Sequence, residues 1–130
     1  MVYSIFLIID TTSDECLVGT YDGHSFAIKK WRWALRGRKD TGGEVLHNIQ
    51  KLLKNRQKNL DCIKGILVNQ GPGSYTGTRV GITIANTLSW SSNIPVVGYT
   101  DKKTADIARG ISRKIKNGQI PSGHFPTPRY

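Results

Sequence analysis

The dipeptide Asp22-Gly23 stands between two strand-like segments, and it constrains the fold of this chain more than any other feature. An Asp-Gly pair in that setting favours a β-hairpin, because the two central residues of the tightest hairpins need a positive φ. The flanking segments are residues 16–21 and residues 24–33. Residues 2–9, which precede them, are rich in apolar and β-branched side chains and predict a buried strand. The first three strands are therefore expected to form an antiparallel meander.

Helix and strand patterns alternate after the break at residues 41–43. Apolar residues recur at helical spacing over residues 43–58, and Ser74 is expected to cap a second helix that ends near residue 91. Short apolar segments at residues 63–68 and 95–98 predict strands, and residues 102–116 predict a last helix. This order predicts an α/β domain, a five-stranded mixed sheet of order 3-2-1-4-5 with helices packed on it.

The domain is expected to cover residues 1–118. Residues 119–130 contain three prolines, and we expect a proline- and glycine-containing tail there without a core of its own.

The charge balance is strongly basic, since 19 Lys and Arg residues face 9 Asp and Glu residues and give a net charge of +10. Such a surface attracts polyanions or acidic proteins, although basic side chains also simply solvate exposed faces. Trp31 and Trp33 alternate with basic residues, so they either stack on bases or belong to the core. The residues assigned to a basic surface are Lys30, Arg32, Arg36, Arg38, Arg113 and Lys116.

The sequence offers no support for a metal site, a disulfide or a membrane span. Cys16 and Cys62 match no metal-ligand spacing and are expected to be reduced, and the three histidines lie far apart. The longest apolar run, residues 5–9, is much shorter than the roughly 20 residues that span a bilayer. No leader pattern precedes it, so we expect no membrane association and a cytoplasmic location.

A glycine-rich turn at residues 70–81 joins a predicted strand to a predicted helix, the usual place for a phosphate. It lacks the Gly-Lys-Ser/Thr ending of a P-loop, and Thr76 stands where a dinucleotide-binding loop needs its third glycine. Asp10 follows the first strand, where it either coordinates a metal or orders the turn, and we favour the second role. The residues of this candidate loop, a remnant of a phosphate site, are Asp10, Thr11, Gly71, Gly73 and Ser74.

The same segment contains small residues at every fourth position, namely Gly73, Gly77, Gly81 and Ala85. Residues four apart share one face of a helix, so the segment forms a stripe that almost lacks side chains. Such a stripe admits the close approach of another backbone, which is either the helix of a partner or the sheet of the chain itself. We favour the partner helix.

Three segments of the chain, residues 8–13, 71–81 and 93–98, resemble the bacterial TsaB (YeaZ) family over about residues 2–110. The resemblance implies one ribonuclease-H-like lobe of the sugar-kinase/actin/Hsp70 fold, shortened to the first of the family's two lobes. It also implies a scaffold that pairs with the catalytic subunit TsaD in threonylcarbamoyladenosine modification of tRNA, through helices at about residues 43–58 and 75–91. Pairing with a second copy through the same helices is an alternative, since a helix face that fits a related protein also fits itself. The residues that this assigns to the partner interface are Val45, Ile49, Leu52, Tyr75, Gly77, Thr78, Gly81 and Ala85.

Catalysis by this chain is not expected. Ser74 and Thr76 are the obvious nucleophiles, but no base is identifiable beside them in the sequence. The loop after Asp10 lacks a glycine that would let backbone amides reach a phosphate, so no nucleotide, metal or other cofactor is expected. The alternatives are a basic nucleic-acid-binding domain that acts alone and a peptidase-like or ATP-binding member of the same fold. A basic surface that touches tRNA is compatible with the scaffold role.

Overall fold

The structure, a computed structural model, describes residues 5–32, 41–55, 59–100, 107–110, 113 and 126–127. The strands are β1 (Ile5–Asp10), β2 (Glu15–Tyr21), β3 (Phe26–Arg32), β4 (Ile63–Asn69) and β5 (Val96–Tyr99). The helices are α1 (Thr41–Asn55) and α2 (Tyr75–Ser92), and a short 3-10 helix (Leu60–Cys62) precedes β4. Residues 107–110 and 113 of the predicted last helix are helical, and the rest of it lies outside the described residues.

The five strands form one sheet in the order β3-β2-β1-β4-β5, as the sequence predicts. β1 pairs antiparallel with β2 and parallel with β4, and β5 extends the parallel side. β1 is therefore central and buried on both faces, which is why its sequence is an uninterrupted apolar run. Ile5, Leu7 and Ile9 face one core cluster, and Phe6 and Ile8 face the other.

The hairpin between β2 and β3 is wider than the sequence predicts. Its loop spans residues 22–25 rather than two residues, and only Gly23, with φ 98°, has a positive φ. The carboxylate of Asp22 accepts hydrogen bonds from the backbone N–H groups of His24 (2.9 Å) and Ser25 (2.8 Å). Because this side chain caps the turn, a four-residue loop forms in place of the tightest one.

Both long helices cover the same face of the sheet. α1 packs on β2 and β3, α2 packs on β4, β1 and β5, and the helices contact each other. The hydroxyl of Ser74 caps α2 by accepting a hydrogen bond from the N–H of Gly77, and Asn93 in the left-handed region ends the helix. On the opposite face, Ala108 packs with Phe6 and other residues of the second cluster.

The predicted tail contacts the domain at its two described residues. Pro126 is buried and its carbonyl oxygen accepts a hydrogen bond from Asn86 Nδ2 (3.0 Å). The carbonyl oxygen of Thr127 accepts one from Gln70 Nε2 (2.8 Å). At this point the chain lies against α2 and the carboxyl end of β4. Cys16 and Cys62 are not joined in a disulfide, as expected.

Candidate functional site

Asp10 orders the loop that follows β1. Its Oδ1 accepts hydrogen bonds from the backbone N–H (3.0 Å) and hydroxyl (2.8 Å) of Thr12, and its Oδ2 accepts one from Asn69 Nδ2 (3.1 Å). Asn69 is buried at the end of β4, and its Oδ1 accepts a hydrogen bond from the N–H of Gly71 (2.9 Å). The two side chains thus fasten the loops after β1 and β4 to each other, which agrees with the favoured role of Asp10.

Several backbone N–H groups of the glycine-rich loop donate hydrogen bonds within the chain itself. Ser74 N–H donates to the carbonyl oxygen of Thr12 (2.6 Å), and Gly77 N–H donates to Ser74 Oγ (3.2 Å). Gly73 lies so close to Thr12 that a Cβ there would come within 3.0 Å of its carbonyl oxygen. A phosphate at the start of α2 needs free N–H donors. The arrangement here favours loop packing over anion binding, and Ser74 serves as a helix cap.

The small-residue stripe of α2 packs inside the chain. A Cβ on Gly77 or Gly81 would lie less than 3.0 Å from oxygen atoms of Thr11, and the hydroxyl of Thr11 donates a hydrogen bond to the Gly77 carbonyl. Ala85 is completely buried. The expectation that this stripe is open to a partner helix is therefore wrong. The stripe instead allows α2 to approach the β1–β2 loop.

Most other residues assigned to a partner interface also lie in the core. Val45, Ile49 and Leu52 of α1 belong to the main apolar cluster, and Thr78 is fully buried. Helical spacing located the buried face of each helix correctly but assigned it to the wrong neighbour, because the chain's own sheet covers it. Tyr75 alone among the eight residues is exposed.

The outer face of α2 is defined here by its exposed residues, namely Tyr75, Thr76, Arg79, Thr83, Thr87 and Trp90. Trp90 is 78% exposed and Tyr75 is 60% exposed, which is unusual for side chains of this size. Arg79 Nη1 donates a hydrogen bond to Tyr75 Oη (2.8 Å) and its Cζ lies 5.3 Å from the ring centroid. Sequence reasoning missed Trp90, although a helical wheel places it on the face opposite the buried stripe.

The predicted basic surface is only partly described. Lys30 and Arg32 are exposed on β3, and Lys30 Nζ lies 3.7 Å from Glu15 Oε1. Arg113 is exposed, whereas Arg36, Arg38 and Lys116 lie outside the described residues. Trp31 packs against the main core cluster, which supports its structural role over base stacking. Trp33 also lies outside the described part of the chain.

The described residues contain no group of three or more His, Cys, Asp or Glu side chains placed to hold a metal ion. Among the described helices, none is long and apolar enough to cross a membrane.

The chain resembles known proteins in sequence. Residues 43–101 match the family model described as "TsaD: tRNA N6-adenosine threonylcarbamoyltransferase". The "tRNA threonylcarbamoyladenosine biosynthesis protein TsaB" of Buchnera aphidicola subsp. Schizaphis graminum is 34% identical over 118 residues, which cover 89% of this chain and 52% of that protein. The chain thus spans about half, or less, of the length of the curated relatives it matches.

Solved structures agree with the fold. "YeaZ from Pseudomonas aeruginosa" superposes with a TM-score of 0.69 at 22% identity, covering 85% of this chain and 50% of that one. A Thermus thermophilus RuvC bound to a Holliday junction superposes with a TM-score of 0.54 at 10% identity, covering 96% of this chain and 83% of that one. At these identities the likeness shows the fold alone. The expected ribonuclease-H-like α/β lobe is confirmed.

Proposed function

Because this chain belongs to the TsaB (YeaZ) family, we propose that it is a partner subunit of a TsaD-like transferase in threonylcarbamoyladenosine modification of tRNA. The name of the curated relatives supports the pathway. The TsaD model match supports the partner, because residues 43–101 contain most of α1 and all of β4, α2 and β5, so this chain and a TsaD-like protein share that unit. Two related proteins that share this unit can pair through equivalent helix faces, much as two copies do in a symmetric dimer.

The outer face of α2 is the surface that we propose for this pairing, and the exposure of Trp90 is the observation that carries it. Large aromatic side chains and arginines dominate the binding energy of protein interfaces. Trp90, Tyr75 and Arg79 provide this chemistry at both ends of the helix. The exposed side chains between them are Thr76, Thr83 and Thr87, which leave the face flat enough for a helix to pack there.

The role that we propose is non-catalytic, and the location is the cytoplasm. Asp10, the carboxylate that an ATPase of this fold would need, is held by Thr12 and Asn69. The backbone N–H groups of Ser74 and Gly77, at the start of α2, likewise donate hydrogen bonds within the chain. These contacts support a scaffold, since they leave few groups at the loops for chemistry on a bound substrate.

Co-expression with the TsaD-like subunit of the same source, followed by size-exclusion chromatography, tests the proposal. We expect both chains to elute together in one peak that contains them in a 1:1 ratio. A chain that elutes alone would contradict the pairing. A peak of twice the mass of this chain without the transferase would show instead that the same face joins two copies.

A further inference from the structure

The strand β3 forms one edge of the sheet, and its pairing with β2 is long and regular. All seven residues of Phe26–Arg32 pair with β2 in one continuous register, and among the described strands β2 is their only neighbour. The strand contains no proline. At alternate residues of an edge strand the backbone N–H and C=O groups point away from the sheet. β3 therefore presents a row of backbone donors and acceptors to another extended chain.

An apolar side chain lies exposed on this edge strand. Protected edges are commonly short, interrupted by a bulge or a proline, or charged throughout. β3 is charged, but Ile28 within it is 49% exposed. Gly19 lies opposite Ile28 on β2, so the nearest cross-strand position has no side chain to cover it. The edge therefore combines outward backbone groups with an apolar contact that suits a side chain of an added strand.

The charges of this edge favour an acidic chain. β2 and β3 together carry three basic side chains, Lys29, Lys30 and Arg32, and one acidic side chain, Glu15. Lys30 Nζ lies 3.7 Å from Glu15 Oε1, but both side chains are about half exposed, and surface pairs of this kind contribute little. Lys30 and Arg32 share a face of the strand with Ile28, because residues two apart point to the same side. Carboxylates on an added strand would place opposite charges beside them.

A peptide fits this edge better than a nucleic acid does. The N–H and C=O groups of a peptide backbone alternate with the spacing of an edge strand, whereas single-stranded nucleic acids bind chiefly through base stacking and phosphate contacts. The two aromatic rings of β3 are engaged within the chain, since Trp31 packs against the main core cluster and Phe26 stacks on Tyr21 with 4.5 Å between ring centroids. A second copy of the chain would bring a basic edge of its own, so an acidic segment is the better match.

We propose that β3 is a docking edge for an extended acidic segment of another protein, which adds a strand to the five described ones. Backbone hydrogen bonds supply the affinity in this mode of recognition, and side chains at alternate positions supply the specificity. An apolar side chain of the segment contacts Ile28, and its carboxylates contact Lys30 and Arg32. β3 is separate from the outer face of α2, so this inference goes beyond the proposed function and does not rest on it.

Titration of the full chain with a labelled peptide tests the edge. The probes are Thr-Val-Thr-Glu-Thr-Glu-Thr and its reversed sequence, which cover both strand directions, and the control peptide has Lys in place of Glu. The variant Lys30→Gln/Arg32→Gln is compared with Lys54→Gln/Lys64→Gln, which removes the same charge from exposed residues outside β3. We expect the edge variant to bind an acidic probe about fivefold more weakly at low salt, and the control variant to bind like the unaltered chain. Bound probe should also slow hydrogen exchange at alternate backbone N–H groups of β3.

Each other result overturns the inference. Equal losses in both variants would mean that net charge alone attracts the peptide, and binding without slower exchange in β3 would mean that no strand is added. If neither acidic probe binds at millimolar concentration, β3 is only a protected edge. If a tRNA transcript binds instead and the edge variant weakens it, the edge contacts a nucleic acid. A dimer of the unaltered chain that the edge variant disrupts would make β3 a contact between copies.

Discussion

Gly81 lies directly against the side chain of Thr11, so close that a Cβ at position 81 would approach Thr11 Oγ1 to less than 3.0 Å. Ile9 Cγ2 lies 3.4 Å from the same point. Thr11 is buried, and its hydroxyl donates a hydrogen bond to the Gly77 carbonyl. This contact between the β1–β2 loop and α2 explains why small residues repeat along the helix, and it determines how the chain responds to larger ones.

Replacing Gly81 with alanine should destabilise the isolated chain. The new methyl group must displace Thr11 from a buried hydrogen bond, and overpacking of this kind costs about 1–3 kcal/mol. The matched control is Gly110→Ala, because a Cβ at Gly110 meets no atom of the described residues within 4 Å. Alanine is better than glycine in a helix by about 1 kcal/mol, so the control should raise stability. Urea unfolding of both variants measures the free energy of unfolding, which should fall for Gly81→Ala and rise for Gly110→Ala.

A Gly81→Ala variant that is as stable as the Gly110→Ala variant would contradict the packing of the stripe against Thr11. The stripe would then be open, as a partner-facing helix requires.

Replacing Asn69 with alanine should separate the loops after β1 and β4. Asn69 donates to Asp10 and accepts from the N–H of Gly71, and a buried donor left without a partner costs about 1–3 kcal/mol. Thermal unfolding measures the expected loss of stability as a lower melting temperature. Asn59→Ala is the control, since the Asn59 side chain accepts from Asp61 N–H at the surface, where water replaces it. Equal losses in the two variants would contradict the bridging role of Asn69.

Replacing Trp90 with alanine should weaken binding of the TsaD-like subunit without changing the fold. Truncation of an exposed aromatic anchor typically costs at least about 2 kcal/mol of binding, or about 30-fold in Kd. Exposed substitutions usually change stability by less than about 0.5 kcal/mol. Leu60→Ala, an exposed apolar residue of the 3-10 helix, is the matched control. Calorimetric titration with the TsaD-like subunit measures the affinity of both variants. If both bind as tightly as the unaltered chain, the outer face of α2 is not the binding surface.

The contact between Pro126 and Asn86 should make the effect of Asn86→Ala on stability depend on whether residues 119–130 are present. Asn86→Ala in the full chain removes a hydrogen bond of about 0.5–1.5 kcal/mol. In a chain that ends at Gly118 the same substitution should cost much less, because its acceptor is gone. Denaturant unfolding of the four chains gives the coupling, and Asn55→Ala provides the uncoupled control. Additive effects would show that residues 119–130 do not pack on α2.

The topology could be predicted because it follows from local patterns. The apolar run of β1, the hairpin at Asp22-Gly23 and two right-handed crossovers together determine which strand is central. The width of the hairpin loop could not be predicted in the same way. It depends on whether the Asp22 carboxylate accepts bonds from the turn, and an Asp-Gly pair is compatible with both forms.

The surface of the molecule was harder to predict than its core. A spacing of four residues shows that Gly77, Gly81 and Ala85 share a face, but not which neighbour covers that face. The neighbour is Thr11, which is remote in sequence, and no local pattern connects the two segments. Trp90 was missed because helical spacing shows that a residue faces outward but not whether a partner covers it.

β3 is at one end of the strand order, and among the described strands it pairs with β2 alone. A strand in that position offers unpaired backbone groups to any other strand, and it also carries Ile28, which is 49% exposed. Lys29, Lys30 and Arg32 charge the same strand, so two copies that meet edge to edge repel each other. These cations therefore oppose edge-to-edge aggregation, in which the β3 strands of different copies would pair at high protein concentration.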